Sequence, residues 1–204
     1  GQGGTGQFFD PLRESSKRIG RLTEQLLAYA QGGKYQPRDF PVRPLIENVL
    51  HHYPVVQNPS LKVTTRFEGD PVLAGSDVTQ IKMVLEAVLD NAVEAMDNAG
   101  EIVVRTNQCG PQDGAGLSEI SLPPGNYVCI TIEDNGNGMD ADTRERLFEP
   151  FFTTKFVGRG LGMAAAFGIV RNHEGMINVE SEPGKGTRVM IYLPSAGNPE
   201  IRPT

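Results

Sequence analysis

The chain has no tryptophan and only two cysteines in 204 residues, and aromatic residues make up just 7% of it. Two cysteines exclude a disulfide framework, and their surroundings exclude a metal set: Cys109 lies in a Gly/Pro-rich stretch, Cys129 in an apolar strand, without CxxC-type spacing. Both are expected to be free thiols of a reducing compartment, which makes the cytoplasm the expected location. No apolar run reaches the roughly 18 residues a membrane span requires. The opening GQGGTGQFF has no charged segment leading into an apolar core, so no membrane contact is expected here, and any anchor would belong to a longer parent protein. Positive charge is also in short supply, with 19 Lys and Arg against 25 Asp and Glu and a net charge of −6. The phosphate backbone of DNA or RNA is therefore a poor partner.

At 38% hydrophobic and 22% charged, the chain has the composition of one globular domain with an appendage, long enough to bury a core without staples. Leu12, Ser15, Ile19, Leu22, Leu26 and Tyr29 recur at alternating intervals of 3 and 4, between the cap candidate Asp10 and the stop Gly32-Gly33. That seam predicts a helix of about 20 residues, which cannot hide its apolar face alone. A partner helix, or the chain's own domain, must cover it. The Pro-punctuated KYQPRDFPVRP follows, then a helix at PLIENVLHHY and a strand at LKVTTRFEG. A helix is predicted from Ser76 to Asn98, then strands EIVVRTNQ and NYVCITIED around a loop from Cys109 to Gly125. The helices DADTRERLF and MAAAFGIVRNH flank a glycine-rich loop, and GMINVESEPG and GTRVMIYLP close as a hairpin turned by PGKG. The boundaries read as an appendage at 1–34, a linker at 35–43, the main domain at 44–195 and a loose tail at 196–204. This order predicts an α+β domain, with helices layered over one face of a mixed sheet.

Four stretches carry candidate chemistry. In VLEAVLDNAVEAM, Asn91 falls at the rim of a broad apolar arc and shares its ribbon with Ala87 and Glu94. An amide there is either a plain rim residue or a pocket-edge ligand for Mg²⁺, which keeps several waters and favours phosphate oxygens. In EDNGNGMD, Asp134 ends a strand and Gly136 and Gly138 follow. A strand-end carboxylate can accept from an exocyclic amine while glycines let a flat base approach, but a tight turn capped by Asp140 explains the pattern as well. FEPFFTTKFVGRGLGM sets Phe148, Phe151 and Phe152 before Lys155, Gly158, Gly160 and Gly162 at a helix start. Backbone N–H groups at such a start form an anion site beside a mobile cation, and the phenylalanines are equally consistent with core packing. PGKGT supplies Gly184, Gly186 and Thr187, whose hydroxyl could reach a base through water in what is otherwise an ordinary hairpin.

In this order and spacing the four features resemble the catalytic and ATP-binding domain of bacterial sensor histidine kinases, in the superfamily that includes gyrase, Hsp90 and MutL. The resemblance covers Phe40 to Pro194 and is strongest over EPFFTTKFVGRGLGMAAAFGIVRNHEG. The helix from Phe8 to Gln31 is similar to the second helix of that family's dimerisation and phosphotransfer hairpin. The resemblance implies a Bergerat-type two-layer sandwich, about five strands covered on one face by about three helices, preceded by one long helix. It implies that Asn91 ligates Mg²⁺, that Asp134 binds the adenine amino group with Gly136, Gly138 and Thr187 around the base, and that Lys155, Gly160, Leu161 and Gly162 handle phosphates in a mobile lid. Arg159 either contacts a phosphate or faces water. It further implies ATP as substrate, transfer of its γ-phosphoryl group to a histidine and then to a response-regulator receiver domain, and a homodimer in the parent protein.

Two features depart from the family pattern. The phosphoaccepting histidine belongs to the first helix of the hairpin, and none of the three histidines stands in for it. His51 and His52 end a short helix and are expected to be exposed, while His173, although followed by Glu174, reads as structural. This stretch is expected to bind ATP without phosphorylating itself in the usual place. Ala87 also occupies the position, four residues before Asn91, where many relatives carry Asn and the ATPase branches carry Glu. Glu86 lies about 140° away around the helix and cannot substitute for it. A methyl group neither orients water nor accepts a proton, which counts against an ATPase or a serine kinase of the superfamily. It leaves open a catalytically weak nucleotide-sensing module.

Overall fold

A computed structural model of the chain describes residues 35–53, 59–97, 99–110, 122–154 and 160–196. The heptad seam at 8–31, the lid residues Lys155, Gly158 and Arg159, and residues 197–204 lie outside them. In chain order the elements are β1 (Arg38–Pro41), α1 (Val42–His52), β2 (Leu61–Phe67), β3 (Val72–Ser76), α2 (Val78–Ala95), β4 (Gly100–Cys109), β5 (Tyr127–Asp134), α3 (Ala141–Arg146), α4 (Gly162–Asn172), β6 (Met176–Glu182) and β7 (Gly186–Pro194).

The main sheet has the order β2-β4-β5-β7-β6. β2 runs parallel to β4 and every other pair is antiparallel, giving the mixed five-stranded sheet that the sequence predicts. Its alternation separates two faces. Val128, Ile130 and Ile132 of β5 point into the core that α1, α2 and α4 share, while Tyr127 and Cys129 belong to a small second cluster with Cys109, Leu122, Met190 and Tyr192. Cys109, read as a loop residue, is instead the last residue of β4, paired with Tyr127 and buried. The Cys109 thiol hydrogen-bonds to that of Cys129 and, against the effect of burial, brings the Cys129 pKa down to about 7.

The sequence reading also passed over a two-stranded sheet. β1 and β3 pair antiparallel, so residues read as linker form a strand at Arg38–Pro41 and begin α1 at Val42. Pro41 ends β1 and Pro71 precedes β3, and proline is tolerated at such ends of short edge strands. α2 starts one cap after its predicted Ser76: the Asp77 carboxylate accepts from Thr79 N (2.9 Å) and Gln80 N (3.1 Å), and its other oxygen from Gln36 N (2.9 Å). The Asp77 N–H donates to Nε2 of buried His173 (3.0 Å), whose Nδ1–H donates to the Ile169 carbonyl (2.8 Å). The end of α4 is thereby bolted to the start of α2, and His173 is structural. His51 and His52 are exposed.

Candidate functional site

The last turns of α2 form one wall of a cavity of about 340 Å³, lined there by Asn91, Glu94, Ala95 and Asp97. Asn91 is half-buried at the helix rim and Glu94 lies on the same ribbon. Ala87, one turn earlier, is buried in the core and does not line the cavity. Glu86 lies on the other flank, half-exposed and 3.7 Å from Lys82.

The second wall is built where β5 and β6 end and β7 begins. Asp134 is directly opposite Thr187, and Thr187 directly opposite Ser181, so the three side chains stand in one row across the inner face. Asp134 and Thr187 are 7% and 4% exposed, so protein groups supply most of the partners of their polar atoms. Asp134 Oδ1 accepts from Gly136 N (2.9 Å) and Thr187 N (3.3 Å). Thr187 lines the cavity, whereas Asp134 stands one hydrogen bond behind it.

The glycine turn between them is fixed on three sides. Asn137 N donates to the Ala95 carbonyl (2.9 Å), Gly184 N to the Asn137 carbonyl (2.7 Å) and Met139 N to Ser181 Oγ (2.8 Å). These contacts account for the two glycines by the tight turn, one of the two readings the sequence leaves open, and do not bear on the approach of a base. A Cβ on Gly136 would come within 2.6 Å of the Ala95 carbonyl oxygen, and one on Gly138, at φ +65°, within 2.0 Å of the Glu182 carbonyl oxygen. The chain's own backbone requires both. Of the two, Gly138 also lines the cavity, with Asn137 and Met139.

Phe152, Thr153, Thr154, Gly160 and Met163 line the third side. The three phenylalanines divide. Phe148 packs against the core, Phe152 lies under the Arg146 guanidinium (4.1 Å), and Phe151 is 76% exposed at φ +67°. Phe151 N donates to the Gly160 carbonyl (2.9 Å), which ties the two ends of the glycine-rich loop together. A Cβ on Gly160 would meet the Phe152 carbonyl oxygen at 2.5 Å. Leu161 caps α4 without a side-chain bond and Gly162 opens the helix, so its first N–H groups lack helical acceptors. Lys155 falls outside the described residues.

Thus Asn91, Gly138, Thr187 and Gly160 meet at one cavity, Asp134 and Gly136 support its wall, and Leu161 and Gly162 begin the helix beside it. The sequence reading missed Ser181, Asn137, Thr153 and Thr154. Ser181 had a signal, since a PGKG turn pairs it with Thr187 on the same face. Among the described residues no group of three or more His, Cys, Asp or Glu could hold a metal ion.

Comparison with known proteins agrees with this arrangement. The sequence pattern of the family described as "Histidine kinase-, DNA gyrase B-, and HSP90-like ATPase" matches residues 76–197. The chain is 35% identical over 187 residues to the sensor kinase CckA of Brucella abortus, covering 90% of the chain and 20% of CckA. It is 32% identical over 192 residues to the sensor histidine kinase ZraS of Klebsiella oxytoca, covering 91% of the chain and 37% of ZraS. The structure of the Acinetobacter baumannii histidine kinase AdeS superposes with a TM-score of 0.71 at 20% identity, covering 96% of this chain and 87% of that one, and so shares its fold. The chain spans about a fifth to two fifths of the length of these curated relatives.

Proposed function

The chain belongs to the histidine kinase-, DNA gyrase B- and HSP90-like ATPase family, and from that premise we propose that it is the ATP-binding kinase domain of a two-component sensor histidine kinase. ATP binds in the cavity between α2 and the glycine turn, and its γ-phosphoryl group passes to a histidine on a dimerisation hairpin, then to an aspartate of a response-regulator receiver domain. The parent protein is a homodimer, and the domain works in the cytoplasm.

The observation that carries this reading is the row of buried Asp134, buried Thr187 and half-buried Ser181 ending at the cavity. A carboxylate held by two backbone N–H groups stays an acceptor, which suits the exocyclic amine of adenine and repels a carbonyl. Toward the other end of the cavity, the Asn91 amide is the donor type that fits Mg²⁺. The lack of a multi-carboxylate cage among the described residues also fits Mg²⁺, which completes its shell with phosphate oxygens and water. Bound there, Mg²⁺ would neutralise phosphate charge during transfer. Lys155 and the first N–H groups of α4, which have no acceptor within the helix, would hold the phosphates with Gly160, Leu161 and Gly162. Ala87, buried in the core, offers no base to activate water. Transfer to a histidine does not require one, because the neutral imidazole is already nucleophilic and the work is positioning and charge stabilisation.

Ala87 also supports a second reading, a nucleotide-sensing module with little catalysis. The test supplies the parent protein's hairpin separately and incubates it with this chain, ATP and Mg²⁺. Acid-labile phosphate on the hairpin histidine is expected. Mg²⁺-dependent ATP binding with no phosphate on the hairpin would favour the sensing module.

A further inference from the structure

Ser181 lies outside the cavity lining, yet its hydroxyl meets three partners at the back of it. Met139 N donates to Oγ at 2.8 Å, the Gly186 carbonyl lies at 3.0 Å and Thr187 Oγ1 at 3.0 Å. A hydroxyl has one proton and two lone pairs. The Gly186 carbonyl can only accept, so the Ser181 proton goes there. Met139 N–H takes one lone pair, and the other is left to accept from the Thr187 hydroxyl. All three contacts are hydrogen bonds only in this arrangement. Thr187 then directs its proton to Ser181, away from the cavity it lines, and shows the cavity lone pairs.

We propose that Ser181 is a positioning residue that sets the direction of the Thr187 hydroxyl, so that the base site offers acceptors only and selects purines carrying an exocyclic amino group. The proposal rests on the cavity being a nucleotide site. The selection has two sources: the Asp134 carboxylate, which cannot donate, and Thr187, which could donate if its proton were not held by Ser181. A nucleotide without the amino group leaves the Thr187 lone pair that faces the cavity unmatched, and a site built to bond a donor rejects an analogue that lacks it. Ser181→Ala frees the Thr187 proton to turn inward and meet a ring nitrogen, which relaxes the selection. A scaffolding role alone, holding the Met139 loop, would weaken all nucleotides alike.

The test measures the affinity of the 204-residue chain for ATP and for purine ribonucleoside triphosphate, which lacks the 6-amino group, in wild type, Ser181→Ala and Ser181→Thr. Wild type is expected to prefer ATP by about a hundredfold or more. In Ser181→Ala the preference narrows by about three- to tenfold, and Ser181→Thr, which keeps the hydroxyl, restores it. If Ser181→Ala does not fold, as judged by its melting curve, Ser181→Cys gives the same comparison with a weak donor and acceptor of similar size. An unchanged preference in the variant that lacks the hydroxyl overturns the inference even if both affinities fall together. Failure of wild type to bind either nucleotide would instead sink the nucleotide reading itself.

Discussion

Two rows of side chains cross the same three strands one residue apart and have opposite characters. On the inner face Asp134, Thr187 and Ser181 are bonded to one another's backbone and hydroxyl groups at the back of a cavity. On the outer face Glu133, Arg188 and Glu180 occupy the preceding or following positions, in register, and form an ion ladder that Arg105 extends. Arg188 bonds Glu133 and Glu180 at 3.0 Å each, with side chains 30–44% exposed. The pleat alone separates them. Asp134 and Thr187 of the inner row are buried and Ser181 half-buried, so a lost bond there is replaced by solvent less readily and tends to leave a polar group unpaired. The outer row trades protein partners for solvent at little cost. Residues of similar polarity thus differ in consequence because of the face they occupy.

The largest loss is expected at Asp134. Asp134→Ala leaves the Gly136 and Thr187 N–H groups without their acceptor, and urea titration should show a loss of about 2–5 kcal/mol. Next is Gly138→Ala, whose methyl would stand 2.0 Å from the Glu182 carbonyl oxygen at φ +65°. It should cost about 2–4 kcal/mol by the same titration.

A smaller effect is expected from acidification. Burial lowers the His173 pKa below 6.5, opposed in part by its bond to the Ile169 carbonyl and by the Asp77 charge. Between the folded value and about 6.5 the unfolded chain binds the proton and the native chain does not, so stability is full above that window and falls as pH drops through it. The urea midpoint should decline from pH 7.5 to pH 5.5, and His173→Gln should flatten that slope. The smallest effect belongs to the outer row. Arg188→Ala should change stability by no more than about 1 kcal/mol, and by less in high salt.

Much of this contrast could be read from the sequence. The alternation of NYVCITIED places Asp134 with the apolar face and Glu133 with the other, and the PGKG turn brings Thr187 near the end of the sheet. The rim position of Asn91 follows from helical period alone. What could not be read depends on long-range approach. β1 and β3 are short and carry no alternation, so their pairing shows only when the chain folds back. Cys109 reads as loop because Gly110 and Pro111 follow it, and only Tyr127 across the ladder makes it a strand residue. Gly136 and Gly138 fit a tight turn and the approach of a base equally well in the sequence, and the nearness of the Ala95 and Glu182 backbone, which requires glycine for the turn, shows only in the fold. The three phenylalanines look equivalent in FEPFF, yet core, cavity and solvent each receive one.

The most direct measurement compares two equal chemical changes one residue apart. Asp134→Asn and Glu133→Gln each replace a carboxylate by an amide of the same shape, and ATP binding with Mg²⁺ can be followed by calorimetry on both. Asp134→Asn is expected to weaken binding by about a hundredfold or more, because an amide can turn a donor toward the amine, while Glu133→Gln stays within about twofold of wild type. Equal losses in the two variants, or ATP binding unaltered in Asp134→Asn, would contradict this expectation.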